Sequence, residues 1–300
     1  MPAAGLGCAA GRLPAPVGAA TLKSNGNVQW RERTEREEQV VDLLNSARER
    51  LKRNEVALGV GLRQARTTDI APAMKSCGFD WLFIDLEHNS MTVDMAVQIA
   101  VAANGYGIAP IVRVPYGQFD MATRVLDGGA MGIVVPHVDT AEEARVVADR
   151  LRYPPVGHRS VAGAMPQIAF QAVPPAEATK AVNDAVLVVV MLETPQAIAN
   201  ADAIAAVPGI DSLLIGTNDL TTELGMPGQL GTPEVEKAYA AVIAACRKHG
   251  KWAGMGGVYV PPLMEKYICM GARFVLAGSD FSFLMEAGRT RVQFLRGLKQ

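Results

Sequence analysis

The chain has 300 residues, 49% of them apolar, and a formal net charge of −1. That length allows one large domain or two small ones, and the balanced charge removes the case for nucleic acid or an anionic membrane as partner. Cys8, Cys77, Cys246 and Cys269 are scattered without CxxC or zinc spacing and read as reduced thiols of a cytoplasmic protein; the longest apolar run, Ala185 to Leu192, is too short to cross a membrane.

In chain order, Met1 to Trp30 is rich in Ala, Gly and Pro and has no Asp or Glu. It lacks the apolar core of a signal peptide and the arginines of a transit peptide. It reads as a disordered extension, with 31–300 a single domain. Residues 31–54 are dense in charge, and Val40, Leu44, Ala47 and Leu51 form one apolar stripe of an N-terminal helix.

From Glu55 onward, short apolar runs alternate with helix-length segments. The runs expected as strands are Ala57–Gly61, Trp81–Asp85, Pro110–Arg113, Gly132–Pro136, Leu187–Glu193, Ser212–Gly216, Trp252–Gly256 and Phe274–Ala277. The helices expected between them are Thr68–Ser76, Val93–Ala103, Phe119–Leu126, Ala141–Leu151, Pro195–Ala206, Pro233–Lys248 and Pro262–Met270. Thr67-Thr68-Asp69 and Asp139-Thr140 supply N-cap side chains, and Gly78, Gly250 and Gly271 stand where helices stop. Tyr153 to Asn183, rich in Gly and Pro at its start, reads as a long loop able to cover a site. Eight strands alternating with helices predict a parallel sheet covered on both faces, and eight also close a (β/α)8 TIM barrel. An open doubly wound sheet competes, but no GxGxxG follows the first strand.

The stretch Phe79 to Ser90, FDWLFIDLEHNS, carries the first chemistry. A buried strand breaks into Asp85, Glu87 and His88, a carboxylate and an imidazole three positions apart. That pairing can fix a histidine tautomer and raise its basicity; the alternative is a helix cap beside a loop histidine. Barrel enzymes place chemistry at the carboxyl ends of strands. Those ends also offer Arg113, His137, Glu193, the run Gly216-Thr217-Asn218-Asp219, and Ser279-Asp280.

Glu193 and Asp219, with no cysteine or evident histidine partner, make a hard oxygen site suited to Mg²⁺ or Mn²⁺. A strand-end salt bridge for Glu193 and a helix cap for Asp219 remain the alternatives. Arg113 is a fixed cation where an oxyanion develops, or the partner of a neighbouring acid. No lysine falls at a strand's carboxyl end, and no nucleophilic cysteine or GxSxG serine is present. Metal-assisted enolate chemistry on a small oxygen-rich substrate remains.

The strings FDWLFIDLEHNSM, IVRVP, LDGGAMGIVVPHV, RYPPVGHRS, MLETPQAIAN and IGTNDL, in this order over roughly residues 45 to 290, resemble the metal-dependent class II pyruvate aldolases of the HpcH/HpaI family. The resemblance implies a TIM barrel, a homo-oligomer (hexamer or trimer) that exchanges its last helix, and a divalent cofactor, Mg²⁺ or Mn²⁺ with Co²⁺ also admissible. It implies Glu193 and Asp219 as metal ligands, His88 as catalytic histidine in a dyad with Asp85, and Arg113 on the keto oxygen. It implies Asp127 as a catalytic aspartate contributed from a neighbouring subunit. The backbone amides of Gly216, Thr217 and Asn218 would receive the substrate carboxylate.

The implied reaction cleaves or forms the C3–C4 bond of 4-hydroxy-2-oxo acids through a metal-bound enolate. Its partners are a small 2-oxo acid, pyruvate or a close relative, and an aldehyde. A CoA-ester lyase on the same barrel and a non-catalytic ligand-binding barrel are the alternatives. The chain departs from the family at Met191, where glutamine is common, and at Thr217-Asn218. His137 stands where an apolar residue is expected and reads as a rim histidine. His158 and Arg159 are candidates for a distal substrate carboxylate.

Overall fold

The computed structural model describes residues 20–22, 28–30, 43–163 and 165–298. The chain divides into two compact units, Met1–Val40 and Val41–Gln300. In the first, Ala20–Leu22 pairs antiparallel with Val28–Trp30; the rest of the expected extension lies outside the described residues.

The second unit is a closed parallel barrel. Its strands are β1 (Ala57–Leu62), β2 (Trp81–Asp85), β3 (Ala109–Arg113), β4 (Gly132–Val135), β5 (Leu187–Leu192), β6 (Ser212–Gly216), β7 (Trp252–Gly256) and β8 (Phe274–Ser279). Each pairs with its neighbours in sequence, and β8 closes on β1. The helices are α1 (Ser46–Lys52), α2 (Ile70–Ser76), α3 (Val93–Gly105), α4 (Phe119–Asp127), α5 (Ala141–Leu151), α6 (Pro175–Ala185), α7 (Pro195–Ala199), α8 (Ala201–Ala205), α9 (Thr217–Glu223), α10 (Pro233–Lys248), α11 (Pro261–Met270) and α12 (Asp280–Arg296).

Alternation along the strands sets the barrel interior. Trp81 and Phe83, Ala109 and Ile111, Leu187, Val189 and Met191, and Leu214 form one buried inner cluster with Phe274. Trp81 stacks on Phe274 at 4.1 Å between ring centroids. Gly59 makes room for that indole: a Cβ there would lie 2.1 Å from it. The same alternation, carried one step further, turns Asp85, Arg113, Glu193 and Gly216 toward the barrel axis above this floor.

Helix α1 closes the opposite end. Asn45 caps it and donates to the carbonyls of Met131 and Ala185, at 2.8 Å each. Ala47 and Leu51 are buried as expected, but Leu44 precedes the helix and is exposed. Val40 lies outside the described residues.

Five local expectations are corrected. Asp69 stands at the N-cap of α2 without a capping hydrogen bond, because its carboxylate accepts from the Thr67 hydroxyl instead. Thr140, by contrast, forms a full capping box with Glu143. The helix expected over Pro195–Ala206 breaks at Asn200 into α7 and α8. The long loop contains α6. That loop also does not cover this chain's own strand-end site: it connects the end of α5 to the start of β5, and so lies at the amino ends of the strands. Finally, β8 is irregular between Leu276 and Ser279 and extends two residues beyond the run expected from sequence.

Candidate active site

A pocket of about 260 Å³ opens at the carboxyl ends of the strands. Phe83, Met191, Leu214 and Leu276 contribute apolar lining, and Arg63, His88, Arg113, Asn218, Asp219 and Tyr259 contribute polar groups. The volume is below the roughly 300–1,000 Å³ typical of pockets for drug-sized ligands, so it suits a small substrate.

Asp85 and Arg113 face each other in the β2–β3 ladder. The buried guanidinium gives Nε to Asp85 Oδ1 at 2.9 Å and Nη2 to Oδ2 at 2.6 Å, a two-pronged ion pair. Its remaining Nη1 lies 3.2 Å from Glu87 Oε2 and 3.9 Å from the Met191 sulfur. Phe83 sits beneath, 5.1 Å from ring centroid to guanidinium carbon. Burial opposes ionisation of Asp85, but the hydrogen bonds and charge of Arg113 outweigh it and hold the carboxyl below its ordinary range. The same contest leaves Arg113 raised.

This geometry corrects the expected Asp85–His88 dyad. Asp85 touches His88 only through the backbone: Oδ1 accepts the N–H groups of Glu87 and His88 at 3.1 and 3.3 Å. The carboxylate is already committed to Arg113. The imidazole instead has Glu87 nearby, with Nε2 3.8 Å from Oε2. The ring is about half exposed and lines the pocket. Asp85 therefore fixes the turn that presents His88 rather than the ring itself.

Glu193 follows β5 and is 2% exposed. Its Oε2 accepts the backbone N–H of His137 at 2.8 Å, and the His137 Nδ1 lies 3.1 Å away. Its Oε1 sits against Gly216, where a Cβ would approach to 2.7 Å. Burial pushes the Glu193 carboxyl up to about 7, with the Asp219 charge adding to the effect and His137 and Arg113 opposing it. The sequence reading gave this acid no histidine partner; His137 is one.

Asp219 lies exposed in the first turn of α9 and lines the pocket. The Thr217 side chain turns away, donating to Gly256 O and meeting the Tyr239 hydroxyl, both at 2.8 Å. Thr217 and Asn218 open α9, so their N–H groups have no acceptor within that helix.

Asp127 ends α4, next to the start of β4, and does not line this pocket. It pairs with Arg159 at 2.6 Å. Arg159 is buried under that pair and over the Tyr153 ring, and His158 binds Asp149. Neither residue lines this chain's pocket. The sequence reading assigns no role to Glu87 and does not include Arg63. Arg63 directly follows β1, and Glu87 continues the Trp81-Phe83-Asp85 alternation, so both signals were present.

Residues 62–287 match the HpcH/HpaI aldolase/citrate lyase family. The chain is 41% identical over 230 residues to the 4-hydroxy-4-methyl-2-oxoglutarate aldolase tasA of Hapsidospora irregularis, covering 75% of this chain and 85% of that one. It is 34% identical over 264 residues to the 2-keto-3-deoxy-L-rhamnonate aldolase of Shigella sonnei, covering 86% and 95%. The crystal structure of an HpcH/HpaI aldolase from Desulfitobacterium hafniense DCB-2 superposes with a TM-score of 0.80 at 28% identity, covering 84% of this chain and 97% of that one. With aldolases at this identity across most of its length and a closed barrel carrying acids at the strand ends, the chain is a carbon–carbon lyase of the class II aldolase kind. It belongs to the HpcH/HpaI aldolase/citrate lyase family.

Proposed function

We propose that this enzyme cleaves, and in reverse forms, the C3–C4 bond of a 4-hydroxy-2-oxo acid, giving pyruvate or a close 2-oxo acid and a carbonyl product. The observation that carries the reading is that Arg113, His88 and Asp219 line one small pocket at the strand ends, with Glu193 buried against its Gly216 wall and within electrostatic reach of Asp219 and Arg113.

The acids fit a hard divalent cation. Glu193 is a buried carboxylate whose Oε1 has no hydrogen bond among the described residues, and burial alone raises its cost of ionisation. No cluster of three or more His, Cys, Asp or Glu suited to a metal occurs among the described residues. Glu193 and Asp219 would hold such a cation, with water or substrate oxygens as its other ligands, as Mg²⁺ and Mn²⁺ tolerate. When bound, the cation supplies Lewis-acid polarisation of the 2-oxo group.

The chain's own groups do the rest. The N–H groups at Gly216, Thr217 and Asn218 receive the substrate carboxylate. Arg113, locked by Asp85, stabilises the oxyanion that develops at C2. His88 takes the 4-hydroxyl proton as the C3–C4 bond breaks, leaving the electron pair on C3, which then acquires a proton. Asp127 serves a neighbouring subunit. Helix α12 has no buried residue and exposes Phe281, Leu284, Val292, Phe294 and Leu295, which supports a homo-oligomer, hexamer or trimer. No helix among the described residues is long and apolar enough to cross a membrane; that and the unpaired Cys77, Cys246 and Cys269 support a cytoplasmic setting.

The test is exchange of pyruvate methyl protons in D₂O, followed by NMR with Mg²⁺ or Mn²⁺ and again with EDTA. Metal-dependent exchange, abolished in Glu193→Ala, is expected. An active, metal-independent Glu193→Ala enzyme would sink the reading.

A further inference from the structure

The pocket charges do not balance evenly along its length. At the inner end Arg113 is met by Asp85 and Glu87. Glu193 and Asp219 are matched by a divalent cation under the aldolase reading. At the rim stands Arg63, exposed and lining the pocket. Its guanidinium makes one long hydrogen bond, from Nη1 to the His88 carbonyl at 3.4 Å. Among the described residues no carboxylate lies within ion-pair distance of it.

The backbone that carries Arg63 is held firmly. Asp280 accepts the N–H groups of Arg63, Gln64 and Ala65 at 2.7, 3.0 and 2.7 Å. It also accepts that of Phe281 at 2.6 Å. One carboxylate thus ties the segment after β1 to the start of α12. Arg63 is a long cation on an anchored base, beside the carbonyl of His88, the residue read as taking the proton of the 4-hydroxyl. Arg63 and His88 line the pocket side by side, so the C4 half of a substrate whose 4-hydroxyl His88 serves under that reading lies on the Arg63 side.

The geometry points to Arg63 as the receiver of a second carboxylate, carried on the C4 half, so that the enzyme acts on 4-hydroxy-2-oxo diacids in preference to chains with a neutral end. This rests on the aldolase reading above. In cleavage the C3–C4 pair remains on C3, the 4-hydroxyl gives up its proton, and C4 leaves as the carbonyl carbon of a product that keeps the second carboxylate. Arg63 holds that anion before and after the bond breaks and takes no part in the electron movement. Guanidinium suits the task, since its planar fork can grip both oxygens of a carboxylate.

The experiment compares kcat/KM for cleavage of 4-hydroxy-2-oxoglutarate with that of 4-hydroxy-2-oxopentanoate, which has a methyl group in place of the second carboxylate. The Mn²⁺-loaded full chain is used. The wild type is expected to prefer the diacid. In Arg63→Met the ratio of the two values should fall by about 10–100-fold, as loss of a charge-assisted contact implies, and Arg63→Lys should recover part of it. A wild type that prefers the neutral chain, or cleaves neither compound while still exchanging pyruvate protons, overturns the proposal. So does an Arg63→Met enzyme with an unchanged ratio. Absence of metal-dependent exchange in the wild type overturns instead the aldolase reading beneath it.

Discussion

His137 directs both its backbone N–H and its ring Nδ1 at one oxygen of Glu193, at 2.8 and 3.1 Å. To do so it adopts φ +52°, a left-handed conformation that costs a non-glycine residue roughly 1–3 kcal/mol and is tolerated mainly at functional sites. With Oε2 so occupied, Oε1 is the oxygen left to face a cation.

His137 is therefore a positioning residue for Glu193, and its variants separate backbone from ring. His137→Gly keeps the N–H and the left-handed turn but loses the imidazole. It should match or exceed the wild type in thermal stability while binding Mn²⁺ about 10–100-fold more weakly, the usual effect of losing a group that orients a ligand. Asparagine also tolerates this conformation and should recover part of the affinity. Mn²⁺ titration followed by electron paramagnetic resonance reads both. Wild-type affinity in His137→Gly would mean the ring does not position Glu193.

The Asp85–Arg113 pair is nearly sealed, at 1% and 6% exposure. Arg113→Ala strands a buried carboxylate and should cost about 3–5 kcal/mol in urea unfolding, besides lowering proton exchange by on the order of 10²–10³. Asp85 has its folded pKa depressed by Arg113. Its contribution is therefore present above the unfolded carboxyl value near ~3.9 and is lost as pH falls through the lower folded value. The stability gap between wild type and Arg113→Ala should narrow below about pH 4. A gap that stays constant into strong acid would contradict this assignment.

Gly216 has an ordinary φ of −84°, so its backbone would accept alanine. Space would not: the added Cβ would meet Glu193 Cγ at 2.6 Å and Oε1 at 2.7 Å. Gly216→Ala should displace the Glu193 carboxylate and weaken Mn²⁺ binding at least about tenfold. Equal affinity in the variant, by the same titration, would place the cation elsewhere.

The eight strands were legible because each is a short, continuously apolar run, as strands buried on both faces must be. Helix α6 was not, because its buried positions, Ala178, Val182 and Ala185, give a faint stripe behind two prolines. Helix α9 begins at the residue after β6 with no turn signal between them. Asp85 and His88 were recognised as site residues, but their pairing was misread. Proximity in sequence suggested the dyad, whereas alternation and register turn Asp85 across the ladder to Arg113. The part His137 plays is not legible in sequence, since a residue after a strand declares its backbone conformation only in three dimensions.

The raised Glu193 carboxyl gives the site a pH signature. A carboxyl held up to about 7 when folded and near ~4.3 when unfolded keeps its proton more tightly in the folded chain. In the metal-free protein this group's contribution to stability therefore declines as pH rises from about 4 toward 7 and changes little above that. A cation must displace that proton below pH 7. The apparent Kd for Mn²⁺ should weaken by about tenfold per pH unit from 7 down to 5.5 and level off above 7.5. Calorimetry at pH 6 in buffers of different ionisation enthalpy should register close to one proton released, falling toward zero at pH 8. Glu193→Gln should remove both the slope and the tight site. A Kd independent of pH between 5.5 and 7 would show that the cation does not bind through this carboxylate.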